Sequence, residues 1–307
     1  MLCDVEARIV TLKDGDLQAR FAAGVGMVGF SLTHRGAELL GQRGGLDAYV
    51  RRGSTFGLPL LHPWANRLGG YAFEVAGREV VLDADSPLTR TEEHGLPIHG
   101  LLAASPDWEV VDERPAAVRA RVVPGDEVLR QFPFPHAVEV EARLDGGALH
   151  VATTLEPLDG AAVPVAFGWH PYLVVPQAVR EDWLLGLPGH THLELDDRGL
   201  PTGASTRREA STEPLGGRVL DDLLTDLDDP RLTLAGGYRR ITLELGEGYS
   251  HAQLFAPPGQ ALMALEPMTA PTDALRTGDG LRVVREPFTA RFAVGVELLD
   301  APITPAR

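Results

Sequence analysis

Short stretches in which apolar and polar residues alternate, separated by turn-forming residues, are the feature that most constrains the fold of this 307-residue chain. Residues 137–142, 241–245 and 291–298 are clear examples. Because successive side chains of a strand face opposite sides, a period of two predicts half-buried β-strands. Glycine-containing turn signals stand between such stretches, among them residues 14–15 and 235–237.

Many short strands at intervals of roughly 8–12 residues suggest an all-β sandwich or barrel. No alternation of strands and helices with a glycine-rich first turn occurs, which argues against a nucleotide-binding doubly wound fold. With 34 glycines and 24 prolines, long helices have little room. We expect one short helix within residues 220–227 and a long polar surface loop at residues 196–217. A sandwich of this length can form one unit, so we predict a single domain over residues 1–307.

Composition narrows the class of protein further. The formal net charge of −15 argues against binding to nucleic acid or to an anionic membrane surface. No apolar run approaches the roughly 18 residues that span a bilayer, and residues 1–6 lack the features of a secretory signal. Cys3 is the only cysteine, so no intrachain disulfide or thiolate metal cluster can form. These features predict a cytoplasmic protein.

The lysine content excludes two kinds of chemistry. Lys13 is the only lysine and lies in a polar turn near the N-terminus. A P-loop needs a Gly-Lys pair, and Schiff-base or pyridoxal-phosphate enzymes need a lysine amine. We therefore expect neither.

Two segments place polar side chains beside apolar ones in a way that suits sugar hydroxyls. Asn66 and Arg67 end an apolar stretch, and together offer an amide and a planar donor fork. His99 follows apolar residues and precedes a glycine, so it can approach a ligand closely. A structural salt bridge for Arg67 and a hydrogen-bonded structural role for His99 are the alternatives.

Two further segments carry candidates for acid–base chemistry. His170 lies among apolar and aromatic residues, where desolvation and nearby carboxylates shift its pKa in opposite directions. A buried structural histidine is the alternative. Glu266 closes an apolar strand, and Pro267 is expected to bend the chain and expose that carboxylate at the strand end. Burial of an unpaired carboxylate costs free energy, so a glutamate at the end of an apolar strand indicates a functional role for Glu266.

Two further patterns, one acidic and one rich in histidine, indicate a functional site less strongly than the four segments above. Asp221 or Asp222 can supply a substrate-binding carboxylate, or can cap a short helix. His190 and His192 have the spacing that places two imidazoles on one face of a strand, with Glu194 continuing that face. We favour a solvated polar face over a metal site there.

The four segments, in this order and spacing, resemble the aldose 1-epimerase family, also called galactose mutarotases, from about residue 24 to residue 299. The motifs that carry the resemblance are Asn66-Arg67 with Phe73 and Gly77, Ile98-His99-Gly100 through Trp108, Phe167-Gly168-Trp169-His170-Pro171-Tyr172 and Leu265-Glu266-Pro267-Met268-Thr269. The last two are most similar to the Gly-Trp-His-Pro-Tyr and Glu-Pro-Met-Thr subgroup.

The resemblance implies a galactose mutarotase-like β-supersandwich of mostly antiparallel strands with the site in an open cleft. It implies that Glu266 takes the proton from the C1 hydroxyl of an aldohexose while His170 protonates the ring oxygen. Arg67, His99 and Asn66 would bind the sugar, as would Asp221, for which Asp222 is equally plausible. It implies no metal and no organic cofactor, a small sugar as the partner, and a monomer or homodimer.

Three other functions stay open at this stage. A hexose-6-phosphate 1-epimerase on the same fold would need an arginine cluster near the cleft, for which residues 51–52, 207–208 and 239–240 are candidates. A non-catalytic sugar-binding or sensor protein would keep the cleft without turnover. A glycosidase would use Glu266 with Asp221 or Asp222, at a separation that the sequence does not reveal.

Overall fold

The computed structural model describes residues 8–303, so Cys3 and residues 1–6 lie outside the described part of the chain. Strands dominate it, as the alternation predicts. The helices are α1 (Gly45–Arg52), α2 (Asp126–Gln131) and α3 (Ala274–Thr277), with one 3₁₀ turn at Arg180–Asp182. The strands are β1 (Ile9–Asp14), β2 (Leu17–Ala22), β3 (Val28–His34), β4 (Ala37–Glu38), β5 (Leu60–Leu61), β6 (Ala72–Val75), β7 (Arg78–Val81), β8 (Glu109–Arg114), β9 (Ala117–Val122), β10 (His136–Asp145), β11 (Ala148–Pro157), β12 (Val163–Val165), β13 (Gly168–Trp169), β14 (Tyr172–Leu173), β15 (Leu184–Leu187), β16 (His190–Leu195), β17 (Pro201–Arg208), β18 (Ser211–Pro214), β19 (Leu220–Thr225), β20 (Arg231–Leu245), β21 (His251–Ala256), β22 (Met263–Met268), β23 (Arg282–Val284) and β24 (Phe288–Ile303).

Two large sheets form the frame of the molecule. Sheet I has the strand order β18-β15-β20-β24-β11-β10-β9-β8. Sheet II has the order β17-β16-β19-β21-β22-β13-β5, and β14 also pairs with β22. Pairing between these strands is antiparallel. Smaller sheets are β1-β2-β3-β4, β12-β23 and β6-β7.

The core lies between the two large sheets. One hydrophobic cluster contains residues of both, because the period of two turns alternate side chains of each strand inward. Trp169 of sheet II is fully buried. Its indole Nε1 donates a hydrogen bond of 3.0 Å to Thr153 Oγ1 of sheet I, and its ring centroid lies 5.8 Å from that of Phe292. The residue that precedes His170 is therefore fixed to the opposite sheet.

The predicted alternating strands are confirmed, and two expectations about residues 196–227 are wrong. Residues 220–227 are not a helix, because 220–225 form β19, which is paired on both sides by β16 and β21. Residues 196–217 are not one loop, because they contain β17 and β18. Each of these two strands is the edge of a large sheet and is mostly exposed. Edge strands of this kind are polar, so their sequence resembles that of a loop.

The glycines at residues 236 and 237 are inside β20 and do not form the predicted turn. The register between β20 and β24 shifts between Gly237 and Arg239, which marks a bulge. By contrast, the turn predicted at residues 14–15 does lie between β1 and β2. None of the helices within residues 8–303 is long and apolar enough to cross a membrane.

A glycine holds the loop that carries His99 against the segment before Asn66. The carbonyl oxygen of His62 accepts hydrogen bonds from the backbone nitrogens of Leu101 at 2.8 Å and Leu102 at 3.1 Å. Gly100 has a φ of +73°, and a Cβ at this position would overlap with the same carbonyl group. The backbone approach thus requires glycine.

We expect Gly100→Ala to destabilise the protein much more than Gly77→Ala. Gly77 has a φ of +72° but open space around it, so its substitution costs only the strain of the left-handed backbone, about 1–2 kcal/mol. Gly100→Ala adds an overlap between backbone atoms and should cost at least about 2 kcal/mol more. Urea denaturation of both variants measures the difference, and equal losses would contradict the proposed role of Gly100.

A buried histidine pair lies under this loop. His136 Nδ1 is 2.5 Å from the carbonyl oxygen of Phe134, so it carries a proton and donates. His136 Nε2, 2.7 Å from His62 Nε2, then accepts a hydrogen bond from the His62 ring. Burial lowers the pKa of His136 to about 4 and the pKa of His62 well below its usual value of 6.5. Both rings are therefore neutral in the folded protein near neutral pH.

We expect the free energy of unfolding to fall as the pH decreases from 6.5 toward 4. The unfolded chain protonates these histidines near 6.5, whereas in the folded state a second proton on His136 would remove its acceptor site for His62. The unfolded state therefore binds more protons in this window. His136→Gln should reduce the slope by up to about 1.4 kcal/mol per pH unit. A slope in His136→Gln equal to that of the wild type would contradict this account.

Candidate active site

Glu266 and His170 face each other because of strand register. Gly168 pairs with Met268, and Tyr172 pairs with Ala264. His170 lies midway between Gly168 and Tyr172, just as Glu266 lies midway between their two partners. His170 is therefore opposite Glu266. Glu266 is inside β22 and buried, which corrects the expectation of an exposed carboxylate at a strand end. Pro267 is accommodated within β22 and does not end it.

The two side chains form a close pair that is shielded from solvent. His170 Nε2 lies 3.1 Å from Glu266 Oε1, and the exposed fractions of the side chains are 4% and 2%. Burial is the largest cause of both pKa shifts: it lowers the pKa of His170 to about 3 and raises the pKa of Glu266 well above its ordinary range. The other ring nitrogen of His170 and the other oxygen of Glu266 have no hydrogen-bond partner within residues 8–303. Each group therefore has one buried polar atom whose hydrogen-bonding capacity these residues do not satisfy.

Tyr172 fixes the plane of the His170 ring. The two rings stack with centroids 4.1 Å apart and planes 16° apart. The hydroxyl of Tyr172 is 2.6 Å from Thr55 Oγ1 and accepts a hydrogen bond of 3.0 Å from Arg43 Nη1. Tyr172 belongs to one of the motifs in the sequence but had no predicted role, and Arg43 and Thr55 were not predicted.

Arg67 and Asp221 form a second polar pair on the same face of sheet II. Arg67 Nη2 donates a 3.1 Å hydrogen bond to Asp221 Oδ2, and Gln253 Nε2 donates one of 2.5 Å to Asp221 Oδ1. Gln253 is the cross-strand neighbour of Glu266. It is a buried polar residue in an apolar strand, a pattern in the sequence from which its place in the site could have been predicted.

The period of two distinguishes Asp221 from Asp222. Leu220 and Leu224 belong to the core between the sheets, whereas Leu223 packs on the other face of β19. Asp221 shares the face of Leu223, and Asp222 shares the face of the core leucines. Only Asp221 of the two lines the cleft described below.

Asn66 and His99 adopt left-handed backbone conformations, with φ of +57° and +64°. Such residues cluster at functional sites, where the surrounding structure holds them in place. The backbone nitrogen of His99 donates to the carbonyl oxygen of Asn66 at 3.0 Å, and Asn66 Oδ1 accepts a 3.2 Å hydrogen bond from Arg67 Nη1. The apolar stretch that precedes Asn66 and Arg67 is not a continuous strand, since β5 ends at Leu61.

His99 completes the cluster. Its ring centroid lies 5.4 Å from that of His170 in an edge-on arrangement. Burial, followed by the charges of His170 and three arginines, lowers the pKa of His99 well below 6.5. The ring is therefore a neutral hydrogen-bonding group near neutral pH.

All six predicted site residues line one cleft of about 860 Å³, a volume within the range of roughly 300–1,000 Å³ that is common for small-molecule sites. They are Asn66, Arg67, His99, His170, Asp221 and Glu266. The cleft is also lined by Arg43, Arg90 and Glu92, none of which was predicted from the sequence.

The suggested metal ligands of β16 do not converge on one point. His190 Nδ1 faces the carbonyl oxygen of Pro188 at 2.8 Å, and His192 Nε2 lies 3.8 Å from Glu194 Oε2. Within residues 8–303, the one group of three side chains with ligand atoms close enough for a common ion is Glu92, Glu93 and His94 at the cleft edge. Exposed acidic groups of this kind are common without an ion.

The arginine pairs suggested for a phosphate lie mostly elsewhere. Arg51 lines the cleft but pairs with Asp47, and the Arg52 side chain lies outside the described parts. The other four do not line the cleft, since Arg207 and Arg240 form surface ion pairs, Arg239 is buried against Gln177, and Arg208 lines a different cavity.

Comparisons with solved structures identify the fold as galactose mutarotase-like. A galactose mutarotase-like protein from Clostridium acetobutylicum matches with a TM-score of 0.81 at 17% identity, over 97% of this chain and 98% of that one. The GalM/aldose epimerase homologue from C. elegans matches with a TM-score of 0.76 at 16% identity, over 96% and 100%. A galactose 1-epimerase from Lactobacillus acidophilus NCFM matches with a TM-score of 0.69 at 14% identity, over 96% and 99%.

At the level of sequence, no curated protein gives a significant match. The family model of aldose 1-epimerase, however, matches residues 8–287, which is nearly the whole described chain. It covers every residue of the cleft named above, including the facing Glu266 and His170. The chain therefore belongs to the aldose 1-epimerase family.

Proposed function

We propose that this protein is an aldose 1-epimerase that interconverts the α and β anomers of an aldohexose by general acid–base catalysis. The observation that carries the proposal is the Glu266–His170 pair, whose reactive atoms lie 3.1 Å apart in a ligand-sized cleft. An acid and a base in one cavity are what ring opening of a pyranose requires, because one proton leaves the C1 hydroxyl and another reaches the ring oxygen.

The electrostatics of the pair suit this reaction. Burial favours the neutral forms, a carboxylic acid at Glu266 and a neutral imidazole at His170. Transfer of that one proton from Oε1 to Nε2 gives a carboxylate and an imidazolium without any change in net charge. The pair can therefore supply both the base and the acid from a single proton, and sugar hydroxyls can stabilise the charged form.

The reaction then proceeds with balanced protons. Glu266 accepts the proton of the C1 hydroxyl, the bond between C1 and the ring oxygen breaks, and His170 donates its proton to that oxygen. Rotation about the C1–C2 bond presents the other face of the aldehyde. In the reverse transfers, the C5 hydroxyl returns its proton to His170 and Glu266 protonates the new C1 oxygen.

Arg67, Asp221, His99 and Asn66 are proposed to bind the sugar. The guanidinium of Arg67 donates hydrogen bonds to Asp221 on one side and to Asn66 on the other. These three side chains form a row of donors and acceptors, which we call the binding row. The neutral ring of His99 stands beside His170, where it can hold a hydroxyl near the ring oxygen.

Two alternatives are less well supported by the same contacts. A glycosidase with two carboxylates would need Asp221 as a free nucleophile or base, yet both its oxygens accept hydrogen bonds from Arg67 and Gln253. A binding module gains nothing from burying a carboxylate against an imidazole, which costs desolvation energy.

We also propose that residues 1–307 form a single domain, as predicted from the sequence. One hydrophobic core contains residues of both large sheets, which supports this proposal.

We expect Glu266→Gln to lower kcat for anomer exchange by about 10²–10⁴-fold, because the amide keeps the shape but cannot accept the proton. Exchange NMR at equilibrium measures the rate, and calorimetric titration should show sugar affinity within a few-fold of the wild type. Glu244→Gln, an exposed substitution on sheet I, is the matched control and should keep full activity. An unchanged exchange rate in Glu266→Gln would refute the proposal.

We expect Asp221→Asn to weaken sugar binding while Asp222→Asn does not. Loss of the charge opposite Arg67 removes a charge-assisted contact from the binding row, worth about tenfold in affinity. Asp222 has the same chemistry one residue away but faces the core side of β19. Equal effects of the two substitutions on KM would contradict the assignment of Asp221.

A further inference from the structure

Two arginines at one end of the cleft have no carboxylate partner. Within residues 8–303, no carboxylate oxygen lies within 4 Å of Arg43 or Arg90, whereas Arg51 pairs with Asp47 and Arg67 with Glu92 and Asp221. Arg90 is half-buried, and its Nη1 is fully buried without a hydrogen-bond partner. A positive charge withdrawn from water in a ligand cleft and left unpaired is costly unless an anion occupies the cleft.

Aromatic rings hold both guanidinium groups at this end. The Cζ of Arg43 lies 5.1 Å from the ring centroid of Tyr172, and that of Arg90 lies 5.3 Å from the ring centroid of Tyr49. Tyr49 is completely buried in α1. Arg43 Nη1 donates hydrogen bonds to the carbonyl oxygen of Thr55 and to the hydroxyl of Tyr172, which leaves its other guanidinium nitrogens for a charge-assisted contact with an oxyanion.

The carboxylates that line the cleft contact groups other than Arg43 and Arg90, and the exposed Glu93 has its Oε1 3.8 Å from His94 Nε2. Glu92 Oε1 accepts hydrogen bonds from the backbone nitrogens of His94 and Leu96, and its Oε2 faces Arg67. Asp221 is bonded to Arg67 as well. The end formed by Arg43 and Arg90, which we call the arginine end, is therefore positive, although the whole chain has a net charge of −15.

The orientation of the sugar places one of its carbons at the arginine end. Glu266, which is proposed to bind the C1 hydroxyl, is the cross-strand neighbour of Gln253, and Gln253 donates a hydrogen bond to Asp221, the partner of Arg67. His170 stacks on Tyr172, whose hydroxyl accepts a hydrogen bond from Arg43. Since His170 protonates the ring oxygen, the groups beyond His170 face C5 and its substituent C6, while those beyond Glu266 face C2 and C3.

We propose that the arginine end binds an anionic group at C6 of the sugar, either the carboxylate of a hexuronate or the phosphate of a hexose 6-phosphate. This inference rests on the proposed function for the orientation of the sugar. The shared chemistry is an oxyanion that accepts charge-assisted hydrogen bonds from Arg90 and Arg43. The neutral aldohexose would then be the weaker substrate.

The test compares glucose and galactose with their 6-phosphates and with glucuronate and galacturonate. Exchange NMR gives kcat/KM for each sugar near neutral pH and low ionic strength, after subtraction of the rate of the same sugar without enzyme. We expect one anionic class to exceed its neutral parent by about tenfold or more, and added salt to reduce this advantage. The phosphate and uronate arms identify which anion the site takes.

Substitutions then assign the preference to Arg90. Arg90→Gln should lower kcat/KM for the anionic sugar about tenfold more than for its neutral parent, and Arg90→Lys should keep part of the preference. Arg240→Gln removes the same charge from the surface of sheet I and should leave both values unchanged. Thermal unfolding of each variant shows whether the fold is retained, and Arg90→Lys decides if Arg90→Gln does not fold.

The outcomes separate this inference from the proposed function. Turnover of neutral sugars at least as fast as of both anionic classes, or equal losses for neutral and anionic sugars in Arg90→Gln, would overturn the anionic site but keep the epimerase. Absence of enzymatic exchange for every sugar would overturn the epimerase. In that case calorimetric titration of the wild type still tests whether the arginine end binds an anionic group. The proposal is wrong if no anionic sugar binds more tightly than its neutral parent.

Discussion

The antiparallel register between β22 and residues 168–172 is the constraint on which the rest of the site depends. It sets residue 170 opposite residue 266, so two side chains from distant parts of the sequence become cross-strand neighbours. A slip of one residue would turn Glu266 into the core between the sheets and move Leu265 into the cleft. Trp169, bonded to Thr153 of the opposite sheet, opposes such a slip.

Burial gives this pair its chemistry. Desolvation drives the carboxyl and the imidazole toward their neutral forms, and their separation of 3.1 Å lets one proton serve both. Tyr172 keeps the imidazole plane fixed by stacking, and its own hydroxyl is held by Thr55 and Arg43. The pair that is proposed to transfer protons thus has a paired strand, β22, on one side and a stacked ring on the other.

The cleft is electrostatically divided about this pair. On the side of Glu266, Arg67 is neutralised by Asp221 and Glu92, which leaves a row of hydrogen-bonding groups without net positive charge. On the side of His170, the guanidinium groups of Arg43 and Arg90 stack on aromatic rings and have no acidic partner among the described residues. A ligand with neutral hydroxyls at one end and an anion at the other would match both sides.

The sequence by itself determined the all-β class, because a period of two can be satisfied only by strands with one buried face. It also pointed to Glu266, His170, Arg67 and His99, through polar residues in apolar surroundings and their resemblance to a family. Only the tertiary structure decided that Asp221 and not Asp222 faces the cleft, since this depends on residues 220–225 being a paired strand and not a helix. The roles of Arg43 and Arg90 were likewise invisible in the sequence, because a single arginine gains meaning only from the partners that strand pairing and loop packing bring to it.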